Sequence, residues 1–337
     1  MSTTVAFTIC SINYLAQAIT LGDSLKKSNP DIEFRIYLVD RLTTSGVTRE
    51  LIPYSLVEIE DVPIAGFEDM CVRYNITELN TSVKPYIIDH IFKTEFRVKN
   101  IIYFDPDIMV LASLNELIKH LLVYSIVLTP HILTPSDEKS GLPERSFLAT
   151  GIYNLGFIAV SKCDETGKFL KWWKKRLFTQ GYANAQLQLF YDQKWLNLAP
   201  VFFEKVYIEK SPGYNMAGWN LHEREVTSKE NGKYIINQEH ELIFYHFSGV
   251  KAKENDVYKH SSISFNDRPD LQEIIENYRK NLIANKNDFY KTIKCHYSSV
   301  YKGMTVYYPR YHWITLYRRT RFHIGKYRRI LSSTLKF

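Results

Sequence analysis

The chain has 337 residues, of which 45% are hydrophobic and 14% aromatic, a composition that indicates a folded globular protein and excludes a disordered one. No apolar run approaches the roughly 20 residues that a membrane-spanning helix needs. The net charge of +7 arises at the carboxyl-terminal end, because eleven Lys and Arg but no Asp or Glu follow Asp288, which leaves −4 for the preceding residues. The body of the chain therefore lacks the basic footprint of a nucleic-acid-binding protein.

Two features predict a cytoplasmic protein. The first ten residues carry no basic residue ahead of their apolar stretch, so they make a poor secretory signal and are better interpreted as a first strand. The four cysteines, at positions 10, 71, 163 and 295, show no paired spacing. That pattern is typical of a reducing compartment and argues against a zinc site.

Short β-branched and aromatic runs alternate with amphipathic segments along the chain. This alternation opens with strand, helix and strand, which predicts an α/β fold with a parallel sheet and right-handed crossovers. The predicted strands are residues 4–10, 34–40, 56–59, 101–104, 125–129, 150–160, 206–209 and 242–249. The predicted helices are residues 15–28, 78–95, 113–122, 164–178 and 269–295.

The segment Asp105-Pro106-Asp107 follows the apolar run 101–104, which has the composition of a buried parallel strand. Pro106 supplies no amide to a sheet ladder, so the strand must stop at Asp105. Two carboxylates are then presented at the carboxyl end of a central strand, where open α/β sheets bind ligands. Hard cations such as Mg²⁺ and Mn²⁺ prefer such oxygens, although Asp-Pro-Asp is also ordinary turn chemistry.

A third candidate metal ligand is His246, near the end of the predicted strand 242–249. A lone histidine is more often structural, but a strand-end position beside two carboxylates favours a ligand. Together with Asp105 and Asp107 it forms a candidate metal set.

Two features of the middle of the chain stand out. The polar segment 130–149 is longer than most connections, and such loops are usually functional or disordered. The predicted strand 150–160 is interrupted by Asn154 and Gly156. A glycine inside a strand marks either the close approach of a ligand or another backbone, or a simple bulge.

Several short motifs occur in a fixed order over roughly residues 4–250. They are Asn13-Tyr14, Lys84, Tyr103-Phe104-Asp105-Pro106-Asp107, Tyr153-Asn154-Leu155-Gly156, Asp192-Gln193, Tyr214-Asn215, and His246-Phe247-Ser248-Gly249 with Lys251. In this order the chain resembles the GT-A-fold glycosyltransferases, most closely the retaining nucleotide-sugar-dependent enzymes of glycosyltransferase family 8 and their bacterial surface-glycan relatives. The resemblance implies a mixed, mostly parallel sheet flanked by helices.

The resemblance also implies roles for the residues at the donor. Asp105, Asp107 and His246 would hold Mn²⁺ or Mg²⁺. The donor nucleotide would be bound by Asn13 and Tyr14 at the base, by Lys84 and Asp105 near the phosphates, and by Gly249 and Lys251 at the diphosphate.

The implied catalytic group is Asp192, Gln193 and Asn154, which in the family lie beside the donor sugar. A carboxylate or amide oxygen there would stabilise an oxocarbenium-like transition state. A covalent intermediate on Asp192, a front-face displacement, and a general-base role in an inverting enzyme all stay open. So does a purely structural role for Asp192 as a helix N-cap.

The chain departs from the family pattern at three places. Ser11-Ile12 stands where an acidic residue is common, and Lys251 lies one residue closer to its glycine than usual, with Lys253 as an alternative. The segment Trp219-Asn220-Leu221, with Arg224, is not part of the general pattern, which indicates donor or acceptor chemistry of its own.

The implied function is metal-dependent transfer of a hexose from a nucleotide sugar, a UDP-sugar in the first instance, to a glycan or lipid-linked saccharide. Surface polysaccharide or lipopolysaccharide biosynthesis would be the setting. Two alternatives stay open. A sugar nucleotidyltransferase would carry a glycine-rich phosphate loop after its first strand, and a non-catalytic sugar- or membrane-binding protein would need none of the site carboxylates.

We predict a catalytic domain at residues 1–260 and a helical, basic and aromatic region at residues 261–337. From Tyr297 onward, aromatic residues lie between Arg and Lys, as in Arg318-Arg319 and Arg328-Arg329. This composition suits an anionic membrane interface. It predicts docking on the inner face of the cell membrane, with a solvated tail or a nucleic-acid contact as the alternatives.

Overall fold

The computed structural model describes residues 3–136, 142–253 and 264–303, together with positions 317 and 321. Strands and helices alternate along this part of the chain. The strands are β1 (Thr3–Cys10), β2 (Glu33–Leu38), β3 (Ser55–Glu58), β4 (Val98–Phe104), β5 (Ile108–Val110), β6 (Ile126–Leu128), β7 (Phe157–Ser161), β8 (Ala183–Asn184), β9 (Leu189–Phe190), β10 (Val206–Ile208), β11 (Met216–Ala217), β12 (Val226–Glu230), β13 (Lys233–Ile236), β14 (His240–Glu241) and β15 (Phe244–His246). The α-helices are α1 (Leu15–Ser28), α2 (Phe67–Arg73), α3 (Ile76–Ser82), α4 (Lys84–Thr94), α5 (Asn115–His120), α6 (Glu144–Thr150), α7 (Asp164–Gln180), α8 (Ala199–Phe202), α9 (Gln272–Ala284) and α10 (Asn287–Tyr290).

A seven-stranded sheet forms the centre of the molecule, in the order β10-β6-β7-β4-β1-β2-β3. The neighbours β4, β1, β2 and β3 are parallel, as are β10 and β6, while β7 is antiparallel to both β4 and β6. A second, three-stranded sheet has the order β11-β15-β5 and brings the end of β15 beside the start of β5. The predicted mixed, mostly parallel α/β sheet flanked by helices is confirmed.

The central strands are buried on both faces, which explains why their sequences are apolar without alternation. In β4, Ile101 and Tyr103 contribute to one hydrophobic cluster, whereas Ile102 and Phe104 contribute to the cluster on the opposite face. All four are at most 2% exposed. The strand that carries the Asp-Pro-Asp segment is therefore held rigidly by packing from both sides.

Several of the predicted elements are wrong in extent. The predicted helix 269–295 contains the separate helices α9 and α10, and the predicted strand 242–249 forms only β15. The predicted strand 150–160 begins only at Phe157, because Gly151 has φ +132° and turns the chain. The predicted helix 78–95 is two helices that meet at Val83. The predicted loop 130–149 contains most of α6, and its residues 137–141 lie outside the described part of the chain.

The described residues beyond position 263 pack on the sheet domain. Helix α9 lies against α1, and the Tyr278 ring stacks on Phe247 with centroids 3.9 Å apart. The His296 amide donates to Asp40 Oδ1 at 2.8 Å.

The division into domains at residue 260 stays a prediction. The predicted basic tail, from position 304 onward, lies outside the described residues except for positions 317 and 321. No helix in the described part of the chain is long and apolar enough to cross a membrane.

Candidate active site

The three predicted metal ligands meet at the edge of the sheet where β4 ends. Asp105 follows β4 and Asp107 precedes β5, while His246 closes β15, which pairs with β5 so that His246 lies opposite Ile108. His246 Nε2 is 3.1 Å from Asp107 Oδ1 and 3.9 Å from Asp105 Oδ2. One ligand atom from each residue lies within 4.8 Å of the other two. Two carboxylates and one imidazole make a donor set that suits Mn²⁺ or Mg²⁺.

The electrostatics of Asp105 also fit a cation. Burial raises the pKa of the Asp105 carboxyl and repulsion from Asp107 raises it further, while Lys84 and His246 oppose the shift. The Tyr103 hydroxyl donates to Asp105 Oδ1 at 2.5 Å. A divalent cation between the two carboxylates would relieve their repulsion, so the residues present fit a metal ion.

His246 is oriented by the segment before β7. Its Nδ1 lies 3.2 Å from Asn154 Oδ1, which leaves Nε2 facing the two carboxylates. The ring also lies directly over Gly156, where an added Cβ atom would be 2.5 Å from His246 Cε1 and 2.8 Å from Asn154 Oδ1. The group that closely approaches Gly156 is therefore a histidine side chain, neither the ligand nor the backbone that was predicted, and the glycine lies just before β7 instead of inside a strand.

Replacing this glycine is expected to displace the metal ligand. Gly156→Ala should lower Mn²⁺ affinity by about 10-fold, as loss of a ligand's supporting contact does, and destabilise the fold by about 1–3 kcal/mol through overpacking. Calorimetric Mn²⁺ titration and urea denaturation measure the two effects.

The matched control is Gly167→Ala in α7. An added Cβ there meets nothing within 4 Å, so this variant should keep wild-type Mn²⁺ affinity and gain up to about 1 kcal/mol from helix propensity. Equal Mn²⁺ affinity in both variants would contradict the role given to Gly156.

Asp192 forms a buried ion pair with Lys84. The Lys84 ammonium donates to Asp192 Oδ2 at 2.6 Å and to the Leu155 carbonyl at 2.7 Å, and it lies 4.0 Å from the centroid of the Tyr103 ring. The Lys84 and Asp192 side chains are 1% and 3% exposed. Burial raises the pKa of Asp192, and the ammonium of Lys84 lowers it.

This pair decides between two interpretations of Asp192. The residue does stand at the N-cap position of the short helix Gln193–Leu198, but its side chain makes no capping hydrogen bond. The N-cap alternative is therefore wrong. The immediate partner of Lys84 is this carboxylate, and the same ammonium lowers the pKa of Asp105, so its charge acts on both acidic groups.

Gln193 and Asn154 are joined through their amides. Gln193 Oε1 accepts from the Leu155 amide at 3.2 Å and from Asn154 Nδ2 at 3.4 Å, while Gln193 Nε2 donates to the Thr150 carbonyl at 3.2 Å. Gly151 leaves room for Gln193, because an added Cβ there would lie 2.9 Å from Gln193 Cγ. These contacts hold the turn at 150–155 against the short helix that follows Asp192.

A pocket of about 560 Å³ collects these groups. Seven of the predicted site residues line it: Lys84, Asp105, Asp107, Asn154, Asp192, Gln193 and His246. Aromatic and small polar side chains make up much of the remaining wall. A half-open, partly aromatic cleft with a few charged groups has the character of a small-molecule site.

Asn13 and Tyr14, which are predicted to bind the nucleotide base, do not line this pocket, whereas Lys84 and Asp105 do. Tyr14 is 44% exposed, and burial together with the charges of Asp107 and Asp105 raises the pKa of its phenol. Asn13 Oδ1 accepts from the Ser11 hydroxyl at 2.9 Å. A carboxylate does reach this loop, because Asp40 Oδ2 accepts from the Ile12 amide at 3.3 Å.

The diphosphate candidates lie just past β15. Gly249 has φ +75°, a left-handed conformation that favours glycine. Lys251 is exposed, and the alternative cation Lys253 is also exposed and pairs with Asp288 at 2.7 Å. Which of the two binds the diphosphate stays a prediction.

Sequence reasoning gave no specific role to three residues at or beside the pocket. The Tyr103 hydroxyl donates to Asp105, and its ring lies against the Lys84 ammonium. The ring centroid of Trp219 is 5.1 Å from that of His246 and 5.4 Å from that of His131. Trp219 could have been singled out from the sequence, because the segment that contains it is not part of the general family pattern. His131 had no signal beyond its position in the long loop, because its partners come from residues 152–154 and 219.

The comparisons with known proteins agree with this geometry. No protein-family model matches the chain. Two uncharacterized proteins of Bacillus subtilis (strain 168) are similar to it: YfnF, 27% identical over 281 residues that cover 82% of this chain and 90% of YfnF, and YfnD, 24% identical over 255 residues that cover 74% and 78%.

Among solved structures, the galactosyltransferase LgtC in complex with donor and acceptor sugar analogs matches with a TM-score of 0.50. The identity is 14%, and the match covers 84% of this chain and 96% of LgtC. Placement in family 8 stays a prediction. The sheet order, the crossovers and this likeness together show that the chain has the GT-A fold of glycosyltransferases.

Proposed function

We propose that the chain is a metal-dependent glycosyltransferase. In this proposal it moves a hexose from a nucleotide-diphosphate sugar, first of all a UDP-sugar, to a glycan or lipid-linked acceptor in surface polysaccharide or lipopolysaccharide biosynthesis. The observation that carries the proposal is the Asp105–Asp107–His246 cluster, which opens into the same pocket as the buried Lys84–Asp192 pair on a GT-A sheet.

The chemistry of transfer explains this arrangement. The leaving group is a nucleoside diphosphate, and a divalent cation held by Asp105, Asp107 and His246 supplies Lewis-acid stabilisation of its charge. Gly249 and Lys251 would bind the same diphosphate from the loop after β15, with Asn13 and Tyr14 at the base. The chain's own task is then to bind and orient the sugar and to exclude water from it.

Asp192 is our candidate for the group that stabilises positive charge on the sugar. Its Oδ2 is fixed by Lys84, so the carboxylate is held in one orientation at the pocket wall. Asn154 and Gln193 line the same wall and would orient the sugar hydroxyls. We propose a retaining outcome, with either a covalent step on Asp192 or a front-face displacement.

Donor hydrolysis provides the direct test. The purified protein is incubated with a panel of UDP- and GDP-sugars and Mn²⁺, and released nucleotide is measured. We expect hydrolysis of at least one donor, its loss with EDTA, and its recovery when Mn²⁺ or Mg²⁺ is added back. Absence of hydrolysis, together with no Mn²⁺-dependent thermal shift with any nucleotide, would favour the non-catalytic alternative.

The basic tail is proposed to dock the enzyme on the inner face of the cell membrane. Residues 304–337 carry eight Lys and Arg and no acidic residue, and each cation near an anionic surface contributes about 1 kcal/mol. The residues just before them belong to the folded body, since the Tyr297 hydroxyl donates to Glu60 at 2.9 Å and the Lys302 amide to the Val72 carbonyl at 2.8 Å. A deletion should therefore begin at residue 304.

We expect the deletion of residues 304–337 to abolish cosedimentation with vesicles that contain phosphatidylglycerol. Hydrolysis of a soluble donor should be unaffected, and neutral phosphatidylcholine vesicles are the control. Unchanged binding to the anionic vesicles would refute the docking role.

A further inference from the structure

We propose that His131 is a positioning residue for the metal site, acting on His246 through the amide of Asn154. The proposal rests on the proposed metal-dependent function and assigns the residue that sets the geometry of one ligand. His131 lies in the loop after β6 and is 6% exposed, and its ring nitrogens lie within hydrogen-bond distance of the Ile152 carbonyl and of Asn154 Nδ2.

The amide of Asn154 can be oriented from its partners. Its Oδ1 accepts from the Gly156 backbone amide at 3.2 Å, and a backbone N–H is only a donor. The other end, Nδ2, lies 3.3 Å from His131 Nε2 and 3.4 Å from Gln193 Oε1. The oxygen and nitrogen of this amide therefore cannot be exchanged without losing these contacts.

This orientation places a proton on Nδ1 of both histidine rings. Because Asn154 Oδ1 is an acceptor, the His246 Nδ1 at 3.2 Å must carry a proton, so Nε2, which faces Asp107 Oδ1 at 3.1 Å, is the nitrogen that a metal ion would take. Because Asn154 Nδ2 is a donor, His131 Nε2 must be the acceptor. His131 Nδ1 then carries the proton and donates to the Ile152 carbonyl at 3.2 Å.

The far end of this chain of hydrogen bonds is anchored to the backbone. The His131 amide also donates to the Ile152 carbonyl at 3.0 Å, and its own carbonyl accepts from Asn220 Nδ2 at 2.9 Å. Rings of Phe147 and Trp219 lie 5.3 and 5.4 Å from the imidazole. The ring thus has a fixed place from which its Nε2 can hold Asn154.

Hydrogen bonds thus connect the Ile152 carbonyl to His131, His131 to Asn154, and Asn154 to His246, and they fix the orientation of the His246 ring. We call this series of hydrogen bonds the relay. Residues that hydrogen-bond to a metal-ligating histidine, without binding the metal themselves, set the tautomer and orientation of its ring. Their removal lowers metal affinity by about 10- to 100-fold. His131 packs in an aromatic setting, so a test must separate its nitrogens from its ring.

Two substitutions make that separation. His131→Phe keeps an aromatic ring between Phe147 and Trp219 but removes the acceptor, whereas His131→Gln loses the ring and places an amide oxygen near the position of Nε2. The control is His120→Phe, at a histidine that stacks on Tyr207 with centroids 4.2 Å apart and does not line the pocket. Free Mn²⁺ is measured by electron paramagnetic resonance in titrations with Mn²⁺ alone.

We expect His131→Phe to weaken Mn²⁺ binding by about 10-fold or more, His131→Gln to stay within about 3-fold of wild type, and His120→Phe to match wild type. Wild-type affinity in His131→Phe would overturn the proposal. Equal losses in His131→Phe and His131→Gln would show that the residue acts by packing and would overturn it too.

A second measurement uses the metal-free protein labelled with ¹⁵N-histidine. Long-range ¹H–¹⁵N spectra should show His131 as the neutral tautomer with its proton on Nδ1, the reverse of the preference of free histidine, and His246 with a proton on Nδ1. A His131 proton on Nε2 would overturn the relay. If wild-type protein binds no Mn²⁺ while both protonation states are as expected, the metal-dependent function fails and the hydrogen-bond relay stands.

Discussion

Asp107→Asn is expected to abolish metal-dependent transfer while the fold persists. The substitution keeps the size of the side chain but removes one of two negative charges that face His246 Nε2, here at 3.1 Å. Loss of the charge stabilisation that a held cation gives to a leaving diphosphate should reduce kcat/KM by about 100- to 1,000-fold. Donor hydrolysis at saturating Mn²⁺ measures the effect.

Thermal denaturation separates this loss from unfolding. Asp107 is 21% exposed at its side chain, so the metal-free Tm of the variant should stay near that of the wild type. Mn²⁺ with nucleotide should raise the Tm of wild-type protein, because a ligand that binds only the folded state stabilises it, and should leave the Tm of Asp107→Asn unchanged.

The control is Asp288→Asn, at an exposed carboxylate paired with Lys253. It should hydrolyse the donor at the wild-type rate, because exposed ion pairs contribute about 0–1 kcal/mol. Wild-type hydrolysis and Mn²⁺ stabilisation in Asp107→Asn would show that this cluster does not hold the catalytic metal.

Lys84→Met should have the largest effect on stability of any single substitution in the pocket. It leaves Asp192 without its cation in a site where both side chains are at most 3% exposed. Removing one partner of a buried ion pair costs about 3–5 kcal/mol. The free energy of unfolding, from urea titration, is the measurement.

Replacing both residues of the ion pair should recover much of the stability that Lys84→Met loses. Lys84→Met combined with Asp192→Leu removes the charges together, and well-packed apolar groups often replace a buried pair at little cost. We therefore expect the double variant to be more stable than Lys84→Met alone, and inactive. The exposed pair of Lys93 with Asp89 offers the control, since Lys93→Met should cost at most about 1 kcal/mol.

The stability lost in Lys84→Met should also depend on pH. Without Lys84, burial and, to a smaller extent, the charge of Asp105 raise the pKa of the Asp192 carboxyl in the folded state above the unfolded value. The folded variant then binds a proton that the unfolded chain releases, so its stability relative to wild type should fall as the pH rises from about 5 to about 8. A penalty under about 1 kcal/mol at the upper pH would contradict the ion pair.

Much of this site could be predicted from local sequence, because its parts lie at the ends of apolar runs. The run 101–104 is readable as a buried strand, and Pro106 must end it, so the carboxylates of Asp105 and Asp107 had to emerge together. The same reasoning placed His246 at a strand end. These features depend on backbone chemistry that acts over a few residues.

Contacts between residues that are far apart in the sequence could not be predicted from these local features. The contact between Lys84 and Asp192 joins residues 108 positions apart, and nothing in the sequence indicated that Lys84 has this carboxylate as a partner. The turn at 151–156 looked like part of a strand because Ile152, Tyr153 and Leu155 are apolar or aromatic and continue into the apolar run that follows. Its conformation follows from Gly151 and from contacts with residues 129–131 and 193.

The sequence by itself thus determined the α/β class and the strand exits, since composition and periodicity record burial and chain reversal directly, while most of the candidate site residues came from the family resemblance. Only the tertiary structure decided which of those side chains face one another: His246 with the two aspartates, Lys84 with Asp192, and Asn154 between two histidines. Hydrogen bonds and ion pairs are short-ranged and directional, so they form only after the sheet has brought distant segments to one edge.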